Sequence, residues 1–334
     1  MKAMSGWGRL LAAALAAGSI GVAHGDFSGR ADVQAFIGEM VESQGFSREE
    51  LVSLFAQAER QQPILDAIAR PAERVLVWHE YRDIFIEEAR IAQALAFWSE
   101  QEAALADAER AYGVPPEYVL AILGVETRFG RVTGRWRVID ALATLAFDYP
   151  PRAAFFRREL GEFLLLAREE GRNPLTLTGS YAGAMGYGQF IPSSYRHYAV
   201  DFDGDGLRDI WGNPRDAVGS IANYFNVHGW ERDGLVALPV EGEGEALESL
   251  ANGSLDLTHT VAELERLGVT ATGLPGDTRA TLYRMEYEDG GRYWLGFNNF
   301  HVITRYNRSR LYALAVHELS QVILQRQRAQ LAER

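Results

Sequence analysis

The 334-residue chain has no cysteine. That excludes a disulfide framework, thiolate chemistry and any zinc site built on sulfur. It also removes the thiol on which an N-terminal lipid anchor would be built. Basic residues are in deficit, with 33 Lys and Arg against 45 Asp and Glu and a net charge of −12. A nucleic-acid partner needs a basic footprint, so none is expected. An anionic polymer would have to be held by local hydrogen bonds and stacking. Beyond the first 25 residues no stretch approaches the run of about 20 apolar residues that spans a bilayer.

What is present reads as a folded protein. Hydrophobic residues make up 47% and charged residues 23%, ordinary values for a globular chain. The length allows one large core or two to three modest domains. The start reads differently. Lys2 and Arg9 are followed by the apolar run Leu10–Ala17, and Ala23-His24-Gly25 places small residues one and three positions before a cut. This is the pattern of a secretory signal cleaved after Gly25, too short for a retained anchor. The expected mature protein is soluble and more acidic still.

Periodicity makes most of the remainder helical. Val33, Phe36, Ile37, Met40 and Val41 fall at helical spacing. Ser47 with Glu50 forms a capping-box signature ahead of Leu51, Leu54, Phe55 and Ala58. A longer helical pattern runs from about Phe85 to Tyr112. Gly113 and Pro115-Pro116 then end it and start another helix, since proline is tolerated where the first amides lack partners. Phe156, Leu160, Phe163, Leu164 and Ala167 make a further stripe, stopped by Gly171 and Pro174. Between 231 and 295 the texture changes to short β-prone runs, Leu235–Val240 and Thr281–Tyr287, broken by glycines. From Phe297 the chain turns helical again and ends as a helix from Leu311 to about Gln327.

Glu126 stands out. It lies seven residues after Val119, four after Ile122 and three after Leu123, on the same stripe as those apolar side chains. A charge there is costly unless paired or neutralised. Desolvation raises a carboxyl pKa, and a general acid working near neutrality needs that shift. The alternative is a buried glutamate satisfied by a polar partner elsewhere in the fold. Two further segments set aromatic rings among small and polar residues: Ser180 to Ser194, which overlaps the glycine-rich stretch from Gly179 to Gly188, and Arg305-Tyr306-Asn307-Arg308-Ser309 with Tyr312. Flat faces to stack on and donors for hydroxyls suit a sugar site, although each segment could equally be a polar surface turn.

Glu126-Thr127-Arg128-Phe129-Gly130, Gly183-Ala184-Met185-Gly186 with Gln189-Phe190-Ile191-Pro192-Ser193-Ser194, and Asn299-Phe300-His301-Val302-Ile303-Thr304-Arg305-Tyr306-Asn307 occur in this order. Together they resemble the B-type lytic murein transglycosylases, a branch of the lysozyme-like superfamily, from about residue 30 to the C-terminus. The resemblance implies a mainly α fold: a lysozyme-like helical core with an added N-terminal helical domain, a small β subdomain and an EF-hand-like calcium loop. The expected sections are a signal over 1–25, a helical domain over 26–100, the core over 101–230 with the loop at 201–216, a β subdomain over 231–296, and a segment over 297–334 that completes the core. By the same resemblance Glu126 is the sole catalytic acid and base. Ser180, Gln189, Phe190, Tyr224, Tyr306, Asn307 and Tyr312 line the site, with Tyr81 and Arg152 as flanking contacts. The implied location is the periplasm. The implied partners are peptidoglycan glycan strands, with cell-wall synthases or divisome proteins as candidate protein partners of a monomer.

The carboxylates agree with that family's chemistry. Most glycosidases flank the scissile bond with two acids, and the motifs quoted offer one. A missing partner fits a substrate-assisted route to a 1,6-anhydro-N-acetylmuramic acid end. The rivals are a hydrolytic muramidase on the same fold and a non-catalytic peptidoglycan-binding or calcium-sensing protein.

Asp201-Phe202-Asp203-Gly204-Asp205-Gly206-Leu207 begins like an EF-hand loop, with carboxylates at positions one, three and five, glycine at six and a backbone carbonyl at seven. The twelfth position is Gly212 rather than glutamate. The resemblance points to Asp216 as the closing ligand of a longer loop, with Asp209 as an additional candidate. The alternative is an Asp-rich turn without metal. Calcium in a structural role is the expectation, because three carboxylates this close repel unless a cation lies among them. No organic cofactor is implied.

Overall fold

The computed structural model describes residues 27–69 and 76–333; the expected secretory signal lies outside them. In chain order the helices are α1 (Ala31–Gln44), α2 (Arg48–Gln57), α3 (Gln62–Ala69), α4 (Trp78–Phe85), α5 (Glu88–Glu100), α6 (Glu102–Tyr112), α7 (Pro116–Thr127), α8 (Val138–Asp148), α9 (Ala153–Glu169), α10 (Pro192–Tyr198), α11 (Pro214–Val227), α12 (Glu245–Leu250), α13 (Val261–Arg266), α14 (Asn298–Tyr306) and α15 (Arg310–Ala332). The strands are β1 (Trp136–Arg137), β2 (Thr178–Gly179), β3 (Ala237–Gly242), β4 (His259–Thr260), β5 (Val269–Thr270), β6 (Arg279–Tyr287) and β7 (Gly290–Gly296). The fold is mainly helical with a small sheet. The described residues form two compact units, one of 27–69 and 130–220, the other of 76–129 and 221–333.

In the unit of 27–69 and 130–220, α8 packs on α9 and on α3. Every residue of α8 from Val138 to Ala146 is buried. Ser47 caps α2 by accepting the Glu50 amide at 3.3 Å, as the S-x-x-E pattern predicts. Asp148 gathers two arginines, Arg30 at 2.6 Å and Arg60 at 2.9 Å. The two-residue strands β1 and β2 pair Trp136 with Gly179 and Arg137 with Thr178, which pins the start of the glycine-rich segment.

In the other unit α7 is surrounded by α5, α6 and α15. The sheet has the order β4-β6-β7-β3-β5 with every pairing antiparallel. It buries Leu282, Leu295 and Val269 against Leu247, Val261 and Leu264. The β3 strand begins at Ala237 rather than Leu235, and α15 continues to Ala332 rather than ending near Gln327.

The single helical pattern expected from Phe85 to Tyr112 is two helices beyond the end of α4. One break follows Phe85, where the Glu87 carbonyl accepts the Arg90 and Ile91 amides and starts α5 afresh. The other is Gln101 alone, at φ −115° and ψ 23°. It keeps its bonds to Phe97 and Leu105 while its own dihedrals leave the helical region, so the apolar spacing carries across a break that periodicity does not detect.

Candidate active site

Pro116 opens α7, and every residue from Glu117 to Thr127 is buried. The expectation that Glu126 shares one apolar stripe is therefore too narrow. The helix has no solvent face, because neighbours pack around it. Glu126 itself is 9% exposed. Burial pushes its carboxyl up to about 7, and a hydrogen bond from Tyr312 opposes that rise. The Tyr312 hydroxyl donates to Glu126 Oε1 at 2.6 Å. Tyr312 is placed by the first turn of α15, where the Ser309 side chain accepts the Tyr312 amide at 3.3 Å. No second carboxyl group among the described residues contributes to the Glu126 shift.

The chain leaves α7 by an unusual route. Arg128 and Phe129 both adopt the left-handed region, at φ 50° and 61°. For residues with a Cβ this costs about 1–2 kcal/mol each. The Phe129 amide bonds the Leu123 carbonyl at 3.0 Å, which closes the helix end.

Three more of the tyrosines expected at the site belong to this unit. Tyr81, on α4, and Tyr306, at the end of α14, have hydroxyl pKa values raised first by burial and then by the nearby Glu126 charge. Tyr224, on α11, lies 4.7 Å from the Tyr306 ring and donates to the Arg305 carbonyl at 2.6 Å. Asn307 follows as the C-cap of α14. So Glu126, Tyr81, Tyr224, Tyr306, Asn307 and Tyr312 belong to one unit, with tyrosines from three helices close enough to feel the glutamate. Such a phenol-lined carboxyl group can donate a proton near neutrality and take one back.

Arg152, Ser180, Gln189 and Phe190 belong to the other unit. The Ser180 hydroxyl accepts the Ala182 and Ala184 amides at 3.3 and 3.0 Å. Met185 and Phe190 exchange backbone bonds at 2.9 and 3.0 Å. Gln189 takes a left-handed φ of 51°, and its amide nitrogen donates to the carbonyls of Thr133 and Gly186, both at 3.1 Å. Phe190 is buried. The Arg152 guanidinium lies 4.4 Å from the centre of the Phe155 ring.

The acidic loop is in this second unit too. Asp201, Asp203 and Asp205 each bring a carboxylate oxygen within 4.8 Å of the others, a spacing that suits a hard cation. Asp201 also accepts the Gly204, Asp205 and Gly206 amides. Asp216 is fully buried. Its two oxygens accept the Phe202 and Asp209 amides, each at 2.8 Å. Asp209 Oδ1 accepts the Trp211 and Gly212 amides and faces Arg172 at 3.2 Å.

Comparison with known proteins places this geometry. The family model described as "Transglycosylase SLT domain" matches residues 28–321. The chain belongs to this SLT transglycosylase family. It is 44% identical to membrane-bound lytic murein transglycosylase B of Escherichia coli (strain K12), over 90% of this chain and 84% of that protein. Soluble lytic transglycosylase SltB1 of Pseudomonas aeruginosa is 53% identical, with a TM-score of 0.86 over 88% of this chain and 98% of that one. E. coli Slt35 in complex with calcium is 44% identical, with a TM-score of 0.83 over 91% and 96%. P. aeruginosa SltB3 in complex with NAG-anhNAM-pentapeptide is 31% identical, with a TM-score of 0.76 over 86% and 77%. The chain is a lytic murein transglycosylase acting on peptidoglycan, with the lysozyme-like fold of these enzymes. Among the described residues no helix is long and apolar enough to cross a membrane.

Sequence reasoning missed the groups that brace the end of α7. Glu87 lies beside Arg128 at 2.6 Å, and Arg90 is 3% exposed. The one local signal was a charged pair spaced i, i+3 in a helical pattern, which looks the same on any solvated face.

Proposed function

We propose that Glu126 is the sole general acid and base of this transglycosylase, and that cleavage closes a 1,6-anhydro ring on N-acetylmuramic acid. The observation that carries this reading is a buried carboxyl group raised to about 7, bonded to Tyr312 and shifted by no second acid. Two-carboxylate glycosidases place their acids about 5–10 Å apart. Here Glu126 protonates the glycosidic oxygen as the bond to C1 breaks. The 2-acetamido carbonyl of the same sugar stabilises C1. The ionised Glu126 then takes the C6 hydroxyl proton while O6 bonds to C1. The proton count closes on Glu126, and no water is consumed. A tethered hydroxyl also avoids the entropy of positioning water. The SltB3 complex with NAG-anhNAM-pentapeptide supports the same end product.

In this reading Tyr81, Tyr224, Tyr306, Asn307 and Tyr312 hold the glycan beside Glu126; Arg152, Ser180, Gln189 and Phe190 are glycan contacts on the strength of the family motifs alone. Asp201, Asp203, Asp205, the Leu207 carbonyl and Asp216 hold a structural calcium ion. The 4.8 Å carboxylate cluster and the Slt35–calcium complex support this site. The signal directs the enzyme to the periplasm, where it meets peptidoglycan strands.

Mass spectrometry of muropeptides released from sacculi in ¹⁸O-labelled water tests the reaction. The expected fragments are one water lighter than hydrolysis products and carry no label. Label in most new ends would establish a hydrolase instead.

A further inference from the structure

We propose that Glu87 is a positioning residue for Glu126, acting through Arg128. This role rests on the reading of Glu126 as the acid–base group. Five non-glycine residues among those described have positive φ, and two of them, Arg128 and Phe129, are adjacent and follow Glu126 by two and three positions. Asn and Asp tolerate this region through local side-chain bonds, whereas Arg and Phe do not. Nothing in the local sequence favours it, so the surrounding structure must impose it.

The imposing groups come from one stretch of chain in the same unit. Arg128 Nη2 lies 2.6 Å from Glu87 Oε1 as an ion pair. Glu87 is itself fixed as the N-cap of α5, where its carbonyl accepts the Arg90 and Ile91 amides at 3.0 and 3.1 Å. Arg90, buried beneath, stands 3.7 Å from Glu87 and donates to the Ile84 carbonyl at 2.6 Å. The Phe129 ring packs on Phe97 of α5 at 5.5 Å. Phe129 also closes on α7 itself: a Cβ at Gly124 would stand 3.1 Å from its ring and 3.5 Å from Arg90 Cδ. Thus α5 holds the two strained residues that end the helix turn bearing Glu126. The groups facing the glutamate, Tyr81, Tyr306 and Tyr312, are neutral phenols, while the Arg128 cation is paired with Glu87.

The Glu87 and Arg128 side chains are 37% and 43% exposed, and a pair open to solvent to that extent contributes modestly to global stability. Positioning and stability can therefore be separated. The experiment compares Glu87→Gln, Arg128→Ala, Arg128→Gly and the double variant Glu87→Gln/Arg128→Gly on soluble glycan strands. It measures kcat, KM, the pH–rate profile and the thermal midpoint. Glu87→Gln and Arg128→Ala should lower kcat by about ten- to a hundredfold, the cost of a misplaced catalytic group, with KM and midpoint nearly unchanged. Their alkaline limb should move to lower pH as Glu126 gains solvent. Glycine adopts the left-handed region unaided, so Arg128→Gly and the double variant should regain most of the rate. A Glu87→Gln or Arg128→Ala enzyme within twofold of the parent kcat would overturn the proposal, as would a double variant as slow as Glu87→Gln. Glu126→Gln is assayed in parallel. If it stays active, the catalytic reading falls and this one with it. If it is inactive while Glu87→Gln is unimpaired, this proposal alone fails.

Discussion

The Tyr312 hydroxyl donates to Glu126 Oε1 at 2.6 Å, joining residues 186 positions apart. The bond favours the ionised carboxylate, whereas burial favours the neutral acid and has the larger effect. Their opposition leaves Glu126 near 7, where one group can serve as acid and then as base. Because Oε1 accepts from Tyr312, the acidic proton is expected on Oε2, and that oxygen should face the glycosidic bond.

Glu126→Gln should lower activity by about 10²–10⁴-fold and change the pH dependence of stability. A carboxyl raised in the folded state contributes stability below its unfolded value, and this is lost as pH rises through about 7. Glutamine has no such charge to bury. The stabilities of variant and parent should therefore coincide near pH 4, separate as the pH rises towards about 7 and stay apart above it, with the variant ahead by about 3 kcal/mol. A constant difference across that range would refute a buried titrating acid.

Tyr312→Phe removes the bond that favours the carboxylate, so Glu126 should ionise at higher pH. The alkaline limb of the pH–rate profile should shift upward while the maximal rate falls, because the carboxylate loses its orienting partner. A limb that stays in place, or moves to lower pH, would show that the tyrosine does not set the protonation state.

Calcium should raise the thermal midpoint of metal-stripped protein, and Asp203→Ala should abolish the increment. A ligand at a hundred times its Kd stabilises the native state by about 2.7 kcal/mol. Scanning fluorimetry with millimolar calcium against chelator measures this directly. Equal midpoints would argue for an Asp-rich turn without metal.

Gly186→Ala should be among the more damaging glycine changes, at about 2 kcal/mol or more. Its φ is 67°, and a Cβ there would stand 2.4 Å from the Ile210 carbonyl oxygen. That oxygen accepts the Tyr187 amide at 2.9 Å, tying the segment that carries Ser180 and Gln189 to the end of the acidic loop. Gly171 offers the control: its φ is 60° and nothing lies within 4 Å, so Gly171→Ala should lose only about 1 kcal/mol. Equal losses in urea denaturation would show that the close approach carries no weight.

The sequence by itself determined what depends on neighbouring residues. Ser47 caps α2, Pro116 opens α7, and the alternating aspartates of 201–205 gather their oxygens, because each interaction closes within a few positions. The motifs around Glu126, Gly183 and Asn299 likewise identified the family, since each is a local string. Only the tertiary structure decided the rest. The burial of α7 on every side comes from α5, α6 and α15. Burial, opposed by the bond from Tyr312, sets the character of Glu126, and the contact from Glu87 accompanies a left-handed turn that no local residue favours. A carboxyl group's proton affinity depends on how much water its neighbours exclude and which donors they present, and those neighbours are brought together by packing, at separations over which side-chain spacing along the chain has no force.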